Sequence, residues 1–509
     1  MAGLIGDLRT SLTRWLLMPS RGCSSLSSVM TAVAAGFIGF KVLKFVKRIL
    51  ERTPFPGPGI SFMLRLALMS PEDQFKKFLE MPKMFGKICC FKSPTRQVLV
   101  VSDMPTYRSV MKRRPREFSK PDYENIMDGV QMAVSEGDMW KKHRRISSRP
   151  LTETNVNKLL PMITDTTQKM IEKLEGSADE KGNVLWCPVE DLRLCASRIA
   201  SAVCMGEEDP MASADPLYGN EMQDELWGLI RDAFVVSMKP TRVFYHDRFL
   251  YKLIFPGVRQ FAKRFKSIES KAIDGFRARA ADDPERPRLC KGLKESAGNE
   301  YSEKELAHTL IMYLGGGGET TASAVAWMLH AFCTYPEVQQ RARAEADSIG
   351  EITPTSIHSM PYIEACALEA LRLNPSVPVS INKGLVDTEV AGKTVKAGTQ
   401  LIFLVGQMMR ENYDEGDKFM PERWLSTDGA SIDVEKRSEF IAFGFGPRQC
   451  PGRFLGIAEI ICSAALFLRN FDHFRHAKGQ EGSSMFTTPL TTLPQNLVVT
   501  MQCRCNIGA

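Results

Sequence analysis

The chain has 509 residues, of which 44% are hydrophobic and 25% charged, so it has room for about three average domains or one large one, and for a sizeable core. Its net charge of +7 comes without an arginine-rich arm or an aromatic and basic stripe, which argues against a nucleic-acid partner. The 13 cysteines show no CxxC spacing, so zinc sites and a disulfide framework are not expected and a reducing compartment is favoured.

Residues 1–52 are predicted to be an N-terminal membrane anchor or targeting segment. Residues 22–40 carry no charge but contain many serines and glycines, so the run is weakly apolar for a spanning helix. Residues 41–50 interleave basic and apolar side chains, which is typical of an amphipathic helix on a membrane surface and leaves the main body cytosolic, at the endoplasmic reticulum. The alternatives are a cleaved transit peptide with a mitochondrial location, because residues 1–28 hold three arginines and one acid, and a leader without function.

Residues 53–59, with three prolines and two glycines, are predicted to be a stiff hinge. From residue 60 to residue 509 we expect one large, mainly α domain with a small β-rich part, because helical periodicity dominates and no internal repeat or second linker is seen. Two stretches, 206–220 and 281–299, read as loops. The other predicted elements are a strand over 97–101, helices over 137–149, 302–335 and 361–373, and strands over 400–405 and 497–503.

The predicted helix over 137–149 carries a basic turn with an aromatic residue. Trp140 and Arg144 are four residues apart, so the indole N–H and the guanidinium lie on one face, where both can reach a carboxylate. The remaining charges, such as Lys141 and Lys142, are either an ordinary solvated helix face or a surface that attracts an acidic protein partner.

The predicted helix over 302–335 contains four consecutive glycines, residues 315–318, followed by Glu319 and Thr320. Four glycines cost about 4 kcal/mol of helix propensity relative to alanine. One interpretation is a loop between two helices. The other is a continuous helix whose bare backbone lets a broad, flat ligand or a substrate approach, and apolar residues at helical spacing on both sides favour it. Glu319 and Thr320 could then relay protons to bound oxygen.

A charge cluster is predicted from Glu369, Arg372 and Arg423. Glu369 and Arg372 are three residues apart on the helix over 361–373, where such pairs are usually surface decoration. The helical neighbours of Glu369 are apolar, which favours a buried pair, and a buried pair needs further hydrogen bonds. Arg423 is the candidate third member.

The segment 443–452, Phe-Gly-Phe-Gly-Pro-Arg-Gln-Cys-Pro-Gly, offers a single cysteine in a glycine-rich bend in front of a helical pattern. Glycines let the backbone approach a flat ligand, and a helix N-terminus favours a thiolate over a thiol. Arg448 is placed to neutralise an acidic group on the same ligand. The segment therefore predicts a thiolate, Cys450, that binds a metal.

These segments, in this order, resemble the cytochrome P-450 family of haem-thiolate monooxygenases. The bend matches the family pattern Phe-Gly-x-Gly-x-Arg-x-Cys-x-Gly at every fixed position. The other similar segments are the oxygen-activating helix (316–321), the structural charge cluster (369–372 with 421–424) and the propionate-binding helix (140–144). The resemblance runs from about residue 54 to the end, and it implies the cytochrome P-450 fold with residues 60–509 as a single haem-thiolate catalytic domain.

The resemblance also implies a haem b cofactor, iron protoporphyrin IX, and a role for each matching residue. Cys450 would be the axial iron ligand, through which the thiolate donates electron density to iron and favours O–O cleavage. The other implied roles are contact with the haem propionates for Trp140, Arg144 and Arg448, packing beside the sulfur for Phe443, and proton delivery for Thr320 with Glu319. The family's propionate-binding arginine after Pro375 is missing, and Lys383 is its possible stand-in.

The implied reaction inserts one oxygen atom into a small apolar substrate. Two electrons would come from NADPH through a flavoprotein reductase, or through a ferredoxin, bound at the basic face near residues 140–145. The alternatives are a haem-thiolate isomerase or dehydratase that acts on peroxides without a reductase, against which Glu319-Thr320 argues, and a haem or gas sensor, for which no output domain is seen. The predicted lining segments, 121–134, 311–315 and 377–381, are apolar and leave sterols, fatty acids, terpenoids and xenobiotics open.

Overall fold

The computed structural model of the protein describes residues 36, 39, 53–92, 96–121, 132, 133, 135–205, 225, 228, 229, 256–280, 300–480, 485–487 and 491–504. The predicted N-terminal segment, apart from Gly36 and Gly39, and the predicted loops at 206–220 and 281–299 lie outside these residues. None of the helices that the described residues form is both long enough and apolar enough to cross a membrane.

Helices make up most of the described structure. In chain order they are α1 (Ile60–Leu68), α2 (Pro71–Phe85), α3 (Met104–Lys112), α4 (Gly137–Ser147), α5 (Glu153–Asn157), α6 (Leu160–Glu175), α7 (Pro188–Met205), α8 (Pro256–Ala280), α9 (Glu303–Thr334), α10 (Pro336–Ser348), α11 (Pro361–Leu373), α12 (Val405–Glu411), α13 (Val434–Glu439) and α14 (Arg453–Asn470). Short 3-10 turns are formed by Arg149–Leu151, Ser356–Ser359, Pro421–Trp424 and Gly446–Arg448.

The strands form a smaller part of the structure. They are β1 (Ile88–Lys92), β2 (Gln97–Val101), β3 (Phe118–Ser119), β4 (Asn183–Trp186), β5 (Val379–Gly384), β6 (Thr388–Val390), β7 (Lys393–Val395), β8 (Gln400–Leu404), β9 (Phe471–His476), β10 (Met485–Thr487), β11 (Thr492–Pro494) and β12 (Val499–Cys503). One sheet has the order β1-β2-β8-β5-β3, with β2 and β8 parallel and the other neighbours antiparallel. The other sheets, all antiparallel, are β4-β12-β9, β6-β7 and β10-β11. The prediction of a mainly α domain with a small β-rich part is confirmed.

Most predicted elements lie where the sequence places them. The strand at 97–101 and the helix at 361–373 have the predicted bounds. The long helix α9 begins after Ser302, whose side chain accepts a hydrogen bond from the Glu305 N–H while the Glu305 carboxylate accepts one from the Ser302 N–H. The basic helix α4 ends at Ser147 instead of 149, because Pro150 follows and a 3-10 turn replaces the last helical turn.

Helix α9 lies in the middle of the main hydrophobic core. It packs against α7, α8, α10, α11 and α14, and residues around its whole circumference, such as Trp327 and Phe332, are buried. A second core lies between α1, α2 and the sheet of β1, β2 and β8. The predicted hinge contains no helix or strand, and its Pro56 carbonyl accepts a hydrogen bond of 2.8 Å from the Cys90 N–H on β1.

A buried charge cluster joins α11 to the segment that precedes the cysteine loop. The Glu369 carboxylate accepts hydrogen bonds from Arg372 Nε (2.8 Å), Arg423 Nε (2.9 Å), Trp424 Nε1 (2.9 Å) and the Met420 N–H (2.9 Å). Arg372 also donates to the carbonyl oxygens of Met409, Gly416 and Lys418. The cluster therefore supplies the additional hydrogen bonds that a buried ion pair needs, and it includes the three residues that the sequence grouped together.

Candidate active site

A cavity of about 580 Å³ lies between α9 and the cysteine loop, residues 443–452. Helix α4, the connection between α11 and β5, and the start of α14 form further parts of its wall, as do residues of α3, α7 and β5. Six of the seven predicted site residues line it, namely Trp140, Arg144, Thr320, Phe443, Arg448 and Cys450. Glu319 is not among the lining residues. Of the predicted lining segments, the described residues on the wall are Met132, Ala133, Met312, Tyr313, Val377, Val379, Ser380 and Ile381.

The cysteine loop owes its shape to two glycines with left-handed backbone. Gly444 has a φ of 80° and Gly446 a φ of 71°, values that residues with a Cβ rarely adopt. The Cys450 N–H donates a hydrogen bond of 2.7 Å to the Phe443 carbonyl and so holds the two ends of the loop together. Because α14 begins at Arg453, Cys450 lies close to a helix N-terminus, where a negative charge is stabilised.

Aromatic rings connect the charge cluster of Glu369 to this loop. Trp424, which donates to Glu369, lies edge-on to Phe440 with ring centroids 5.4 Å apart. Phe440 in turn lies 6.0 Å from Phe443, whose carbonyl accepts from Cys450. The position of the thiol therefore depends on packing that starts at the charge cluster on α11.

The Cys450 side chain experiences opposing effects on its protonation. Burial raises the pKa of the Cys450 thiol, whereas the Gly452 N–H and the positive charges of Arg144 and Arg453 lower it. Burial has the larger effect, so the pKa of the Cys450 thiol is raised overall, and the three lowering groups partly offset the cost of forming the thiolate, which is the form that binds a metal ion.

Arg448 crosses from the cysteine loop to the segment in front of α4. Its guanidinium lies 4.1 Å from the centre of the Trp140 ring, as in a cation–π contact. It donates to the carbonyl oxygens of Met132 (3.2 Å) and Ser135 (2.7 Å) and forms an ion pair with Glu136. The arrangement brings together Trp140 and Arg448, which are more than 300 positions apart in the sequence.

The cavity wall has more positive than negative charge. Lys120, Arg144 and Arg448 line it, and Glu459 is the acidic residue among the described lining residues. Desolvation, together with the charges of Arg114 and Arg448, lowers the pKa of Lys120 to about 8, and the charge of Glu136 offsets this only in part. The wall therefore fits a haem: the thiol suits its metal ion, the surplus of cations suits its acidic groups, and the bare stretch of helix backbone suits its flat shape. Lys383, the possible stand-in for the missing arginine, lies on β5 and is not among the described residues that line this wall, whereas Lys120 is.

Three of the four glycines of α9, Gly316 to Gly318, serve two purposes. The helix is continuous across them, so the interpretation of a loop is wrong. A Cβ on Gly317 would lie 2.6 Å from Ala200 Cβ, and one on Gly318 would lie 2.1 Å from Ser197 Oγ, so these two glycines allow α7 to pack closely. Gly316 lines the cavity, and a Cβ there would meet nothing within 4 Å. The predicted bare backbone for a ligand therefore applies to Gly316 and Gly317, which both line the cavity, and Gly317 and Gly318 are also needed for helix packing.

The same substitution at two adjacent glycines is expected to have different effects on stability. Gly317→Ala should lower the free energy of unfolding by about 1–3 kcal/mol, because the added methyl group overpacks the contact with Ala200. Gly316→Ala should leave it unchanged or raise it by up to about 1 kcal/mol through helix propensity. Urea unfolding followed by circular dichroism measures both, and equal effects would contradict this division of roles.

Glu319 and Thr320 point in different directions, as adjacent residues of a helix must. The Thr320 hydroxyl lies on the cavity wall and donates a hydrogen bond of 2.6 Å to the Gly316 carbonyl. The Glu319 carboxylate accepts a hydrogen bond of 2.7 Å from the Thr491 hydroxyl, in front of β11. The structure therefore places Thr320 on the cavity wall, whereas Glu319 is not a lining residue and contacts Thr491, which is distant in the sequence.

Glu459 is a buried acid on the cavity wall that the sequence analysis did not single out. It is 1% exposed, and burial raises its pKa well above the ordinary value, partly offset by a hydrogen bond from Thr321. The side chain is therefore neutral in the folded protein at pH values where it is ionised in the unfolded chain.

This protonation difference predicts how stability depends on pH. Above the ordinary glutamate pKa of about 4.3 the folded state holds one proton more than the unfolded state at Glu459, so its contribution to stability falls as pH rises, by about 1.4 kcal/mol per pH unit at most. Glu459→Gln should remove this contribution. Unfolding midpoints of both proteins, measured between about pH 5 and pH 8, give the comparison. Parallel curves would show that Glu459 ionises normally.

Several residues around the site carry no recognisable spacing in the sequence. Lys120 follows β3, and Arg114 and Lys120 both bind Glu136, through a side-chain bond of 2.7 Å and a backbone bond of 2.7 Å. Because these residues lie in irregular segments that only the tertiary fold brings to the cavity, no periodic pattern identifies them. A general search for basic residues after a predicted strand would have found Lys120 among many others.

Comparison with known proteins identifies the family. The cytochrome P450 family model matches residues 54–501. Protein LUTEIN DEFICIENT 5, chloroplastic, of Arabidopsis thaliana is 24% identical over 441 residues, which cover 82% of this chain and 72% of that protein. Cytochrome P450 76T24 of Catharanthus roseus is 26% identical over 476 residues (84% and 88%), and tryptamine 4-monooxygenase of Psilocybe cyanescens is 22% identical over 505 residues (94% and 96%). With this match over most of its length, and with a cavity that fits a haem, the chain belongs to the cytochrome P450 family of haem-thiolate monooxygenases, oxidoreductases that incorporate an oxygen atom from O₂.

Proposed function

We propose that this protein is a membrane-attached monooxygenase that inserts one oxygen atom of O₂ into a small apolar substrate, with electrons from NADPH supplied through a reductase. The observation that carries the proposal is a single cavity whose wall holds both the Cys450 thiol and the Thr320 hydroxyl and is otherwise mostly apolar. Sterols, fatty acids, terpenoids and xenobiotics are the substrate classes that such a wall suits.

In this proposal Cys450 binds the iron of haem b through its sulfur, and Phe443 packs beside it. The haem propionates would be bound by Arg448, Arg144 and Trp140, together with Lys120. A propionate would then replace Glu136 as a partner of Arg448. When bound, the haem supplies the iron-based activation of O₂, which a thiolate ligand promotes. The surplus of cations on the wall supports these assignments.

Thr320 and Glu319 deliver protons during oxygen activation in this proposal. The Thr320 hydroxyl on the wall holds or passes a proton, and Glu319, which is half-buried on the adjacent side of the helix, receives protons from solvent. Met312, Val377 and Ile381 on the same wall would exclude water and position the apolar substrate.

We propose the exposed face of α4 as the docking surface for the reductase or ferredoxin. Met139 is 44% exposed and gives this face an apolar centre, flanked by Lys141 and Arg145. Lys141 is paired with Asp138 and Arg145 with Glu300, both in exposed positions, so an acidic partner can exchange with them at small cost.

Residues 1–52 are proposed to attach the protein to the endoplasmic reticulum membrane, with a mitochondrial transit peptide as the alternative. The helix that follows the hinge, α1, exposes Leu68 by 89%, and Met84 on α2 is 50% exposed, so apolar side chains continue beyond the proposed anchor. N-terminal sequencing of the mature protein decides between the two, because a transit peptide would be missing from it.

Turnover tests the proposed reaction. The protein with NADPH and a flavoprotein reductase, or with a ferredoxin system, should oxidise an apolar substrate that shifts the haem spectrum. Thr320→Ala should lower product formed per NADPH by about tenfold or more, with the electrons appearing as hydrogen peroxide, because general acid catalysis is lost.

Thr334→Ala is the matched control for this substitution. The Thr334 hydroxyl donates to the carbonyl four residues earlier on the same helix, like Thr320, but Thr334 is not among the residues that line the cavity. Its product yield should equal that of the unmodified protein. If the protein converts a peroxide without NADPH or reductase, and forms no oxygenated product when both are supplied, the isomerase or dehydratase is favoured instead.

A further inference from the structure

Glu136, the residue before α4, binds three other segments of the chain. One of its carboxylate oxygens, Oε1, accepts hydrogen bonds of 2.7 Å from Arg114 Nη2, after α3, and from the Lys120 N–H, after β3. The other oxygen, Oε2, pairs with Arg448 of the cysteine loop. Within the described structure the side chain makes no capping hydrogen bond to α4 itself. Both oxygens are therefore committed to contacts between distant segments.

These contacts place one acid among several cations. The side chains of Arg114 and Arg448 are 3% and 7% exposed, and that of Glu136 is 20% exposed. Desolvation lowers the pKa of Arg114, Lys120 and Arg448, and the charge of Glu136 opposes this shift in each of them. Among the residues that the structure describes, Glu136 is the only acid that pairs with Arg114 or Arg448. Its charge therefore holds together cations that repel each other.

Arg448 is also one of the cations proposed to bind a haem propionate. It donates to two backbone carbonyl oxygens and lies over the Trp140 ring, and none of these groups is charged. A propionate and the Oε2 atom of Glu136 therefore require the same positive charge. Because Oε1 has partners of its own, Glu136 can give up Arg448 and still hold Arg114 and the Lys120 N–H.

We propose that Glu136 is an internal acid that competes with a haem propionate for Arg448, and that it makes haem binding weaker than the cations alone would allow. This inference rests on the proposed haem site and deepens it. On haem binding Arg448 turns from Oε2 of Glu136 to the propionate, while Arg114 stays on Oε1. Glu136 thus stabilises the fold and opposes the haem, so its loss should change stability and haem retention in opposite directions.

Three variants of the haem-loaded protein test this competition. Glu136→Gln removes the charge with little change of shape, and Glu136→Gln with Arg114→Met also removes the buried cation that would lack an acid. Glu117→Gln is the matched control, because Glu117 pairs with Arg113 in the connection between α3 and β3 (2.8 Å), is 32% exposed and is not among the described lining residues. For each protein we would measure haem release to excess apomyoglobin, which binds free haem tightly, and unfolding by urea.

Glu136→Gln should release haem about tenfold more slowly, because a charge-assisted hydrogen bond no longer competes with the propionate. It should also unfold at a lower urea concentration, because leaving the buried Arg114 unpaired costs more than tighter haem binding gains. Adding Arg114→Met should restore much of the stability, and haem release should stay slow. Glu117→Gln should release haem at the rate of the unmodified protein.

Unchanged or faster haem release in Glu136→Gln would overturn the proposal, and so would slow release in Glu117→Gln. Release that returned to the unmodified rate when Arg114→Met is added would also overturn it, because Arg114 instead of Arg448 would then be the cation in competition.

Resonance Raman spectra of the haem-loaded proteins provide a second measurement. The bending bands of the propionates should shift toward stronger hydrogen bonding in Glu136→Gln and stay in place in Glu117→Gln. Unchanged bands in Glu136→Gln would contradict the competition. If the unmodified protein takes up no haem, the proposed function itself fails. If it holds a thiolate-ligated haem but releases it equally fast with and without the Glu136 charge, this inference alone is wrong.

Discussion

Cys450→Ser is expected to abolish product formation. A serine hydroxyl is not ionised at neutral pH and cannot replace the thiolate, so the iron loses the ligand that donates electron density. We expect product formed per bound haem to fall by more than the roughly 100-fold that losing a supporting residue of a metal site costs. The measurement is substrate turnover with NADPH and reductase, normalised to haem content.

Cys187→Ser controls for the exchange of sulfur for oxygen. Cys187 is exposed and not among the residues that line the cavity, so its substitution should leave turnover unchanged. Haem content is expected to fall only partly in Cys450→Ser, because the cations on the wall are retained. Normal turnover per haem in Cys450→Ser would mean that another residue binds the iron.

Glu369→Gln is expected to cause the largest loss of stability. The substitution leaves two arginines, Arg372 and Arg423, facing a neutral amide, and Arg372 is fully buried. Breaking a buried pair by removing one partner costs about 3–5 kcal/mol. Since a folded protein has only about 5–15 kcal/mol to lose, much of the chain should unfold or fail to retain haem. Urea unfolding and haem content measure the effect.

Glu422, next to Arg423 in the Pro421–Trp424 turn, offers a matched control. Its pairing with Arg341 is exposed, with a nitrogen to oxygen distance of 2.9 Å, so Glu422→Gln should cost less than about 1 kcal/mol. Glu369→Asp, which keeps the charge, should lower the free energy of unfolding less than Glu369→Gln does. If Glu369→Gln unfolded at the same urea concentration as Glu422→Gln, the cluster would not be what supports the cysteine loop.

The sequence predicts the elements with a strong local signal. Helix α9 has a capping residue at Ser302 and apolar residues at helical spacing, and α11 is bounded by prolines, so their positions follow from the chain itself. The cysteine loop is recognisable because several residue types, each with a physical requirement, occur within ten positions. These features identify the fold and the position of the candidate site.

Contacts between distant segments could not be predicted in this way. The bond of Thr491 to Glu319 and the presence of Lys120 on the cavity wall depend on how the helices and sheets pack. The purpose of Gly317 also depends on a neighbouring helix, α7, since only the tertiary structure shows that Ala200 lies where its Cβ would be. A prediction from periodicity covers one element at a time, and these residues act between elements.

The absorption spectrum of the reduced protein with carbon monoxide tests the central claim most directly. The claim is that Cys450 presents a thiolate to the haem iron. It predicts that the purified, haem-loaded protein shows the red-shifted Soret band of a thiolate-ligated haem, and that Cys450→Ser lacks this band. A band at the ordinary position of a nitrogen-ligated haem in the unmodified protein, or a shifted band that persists in Cys450→Ser, would contradict it.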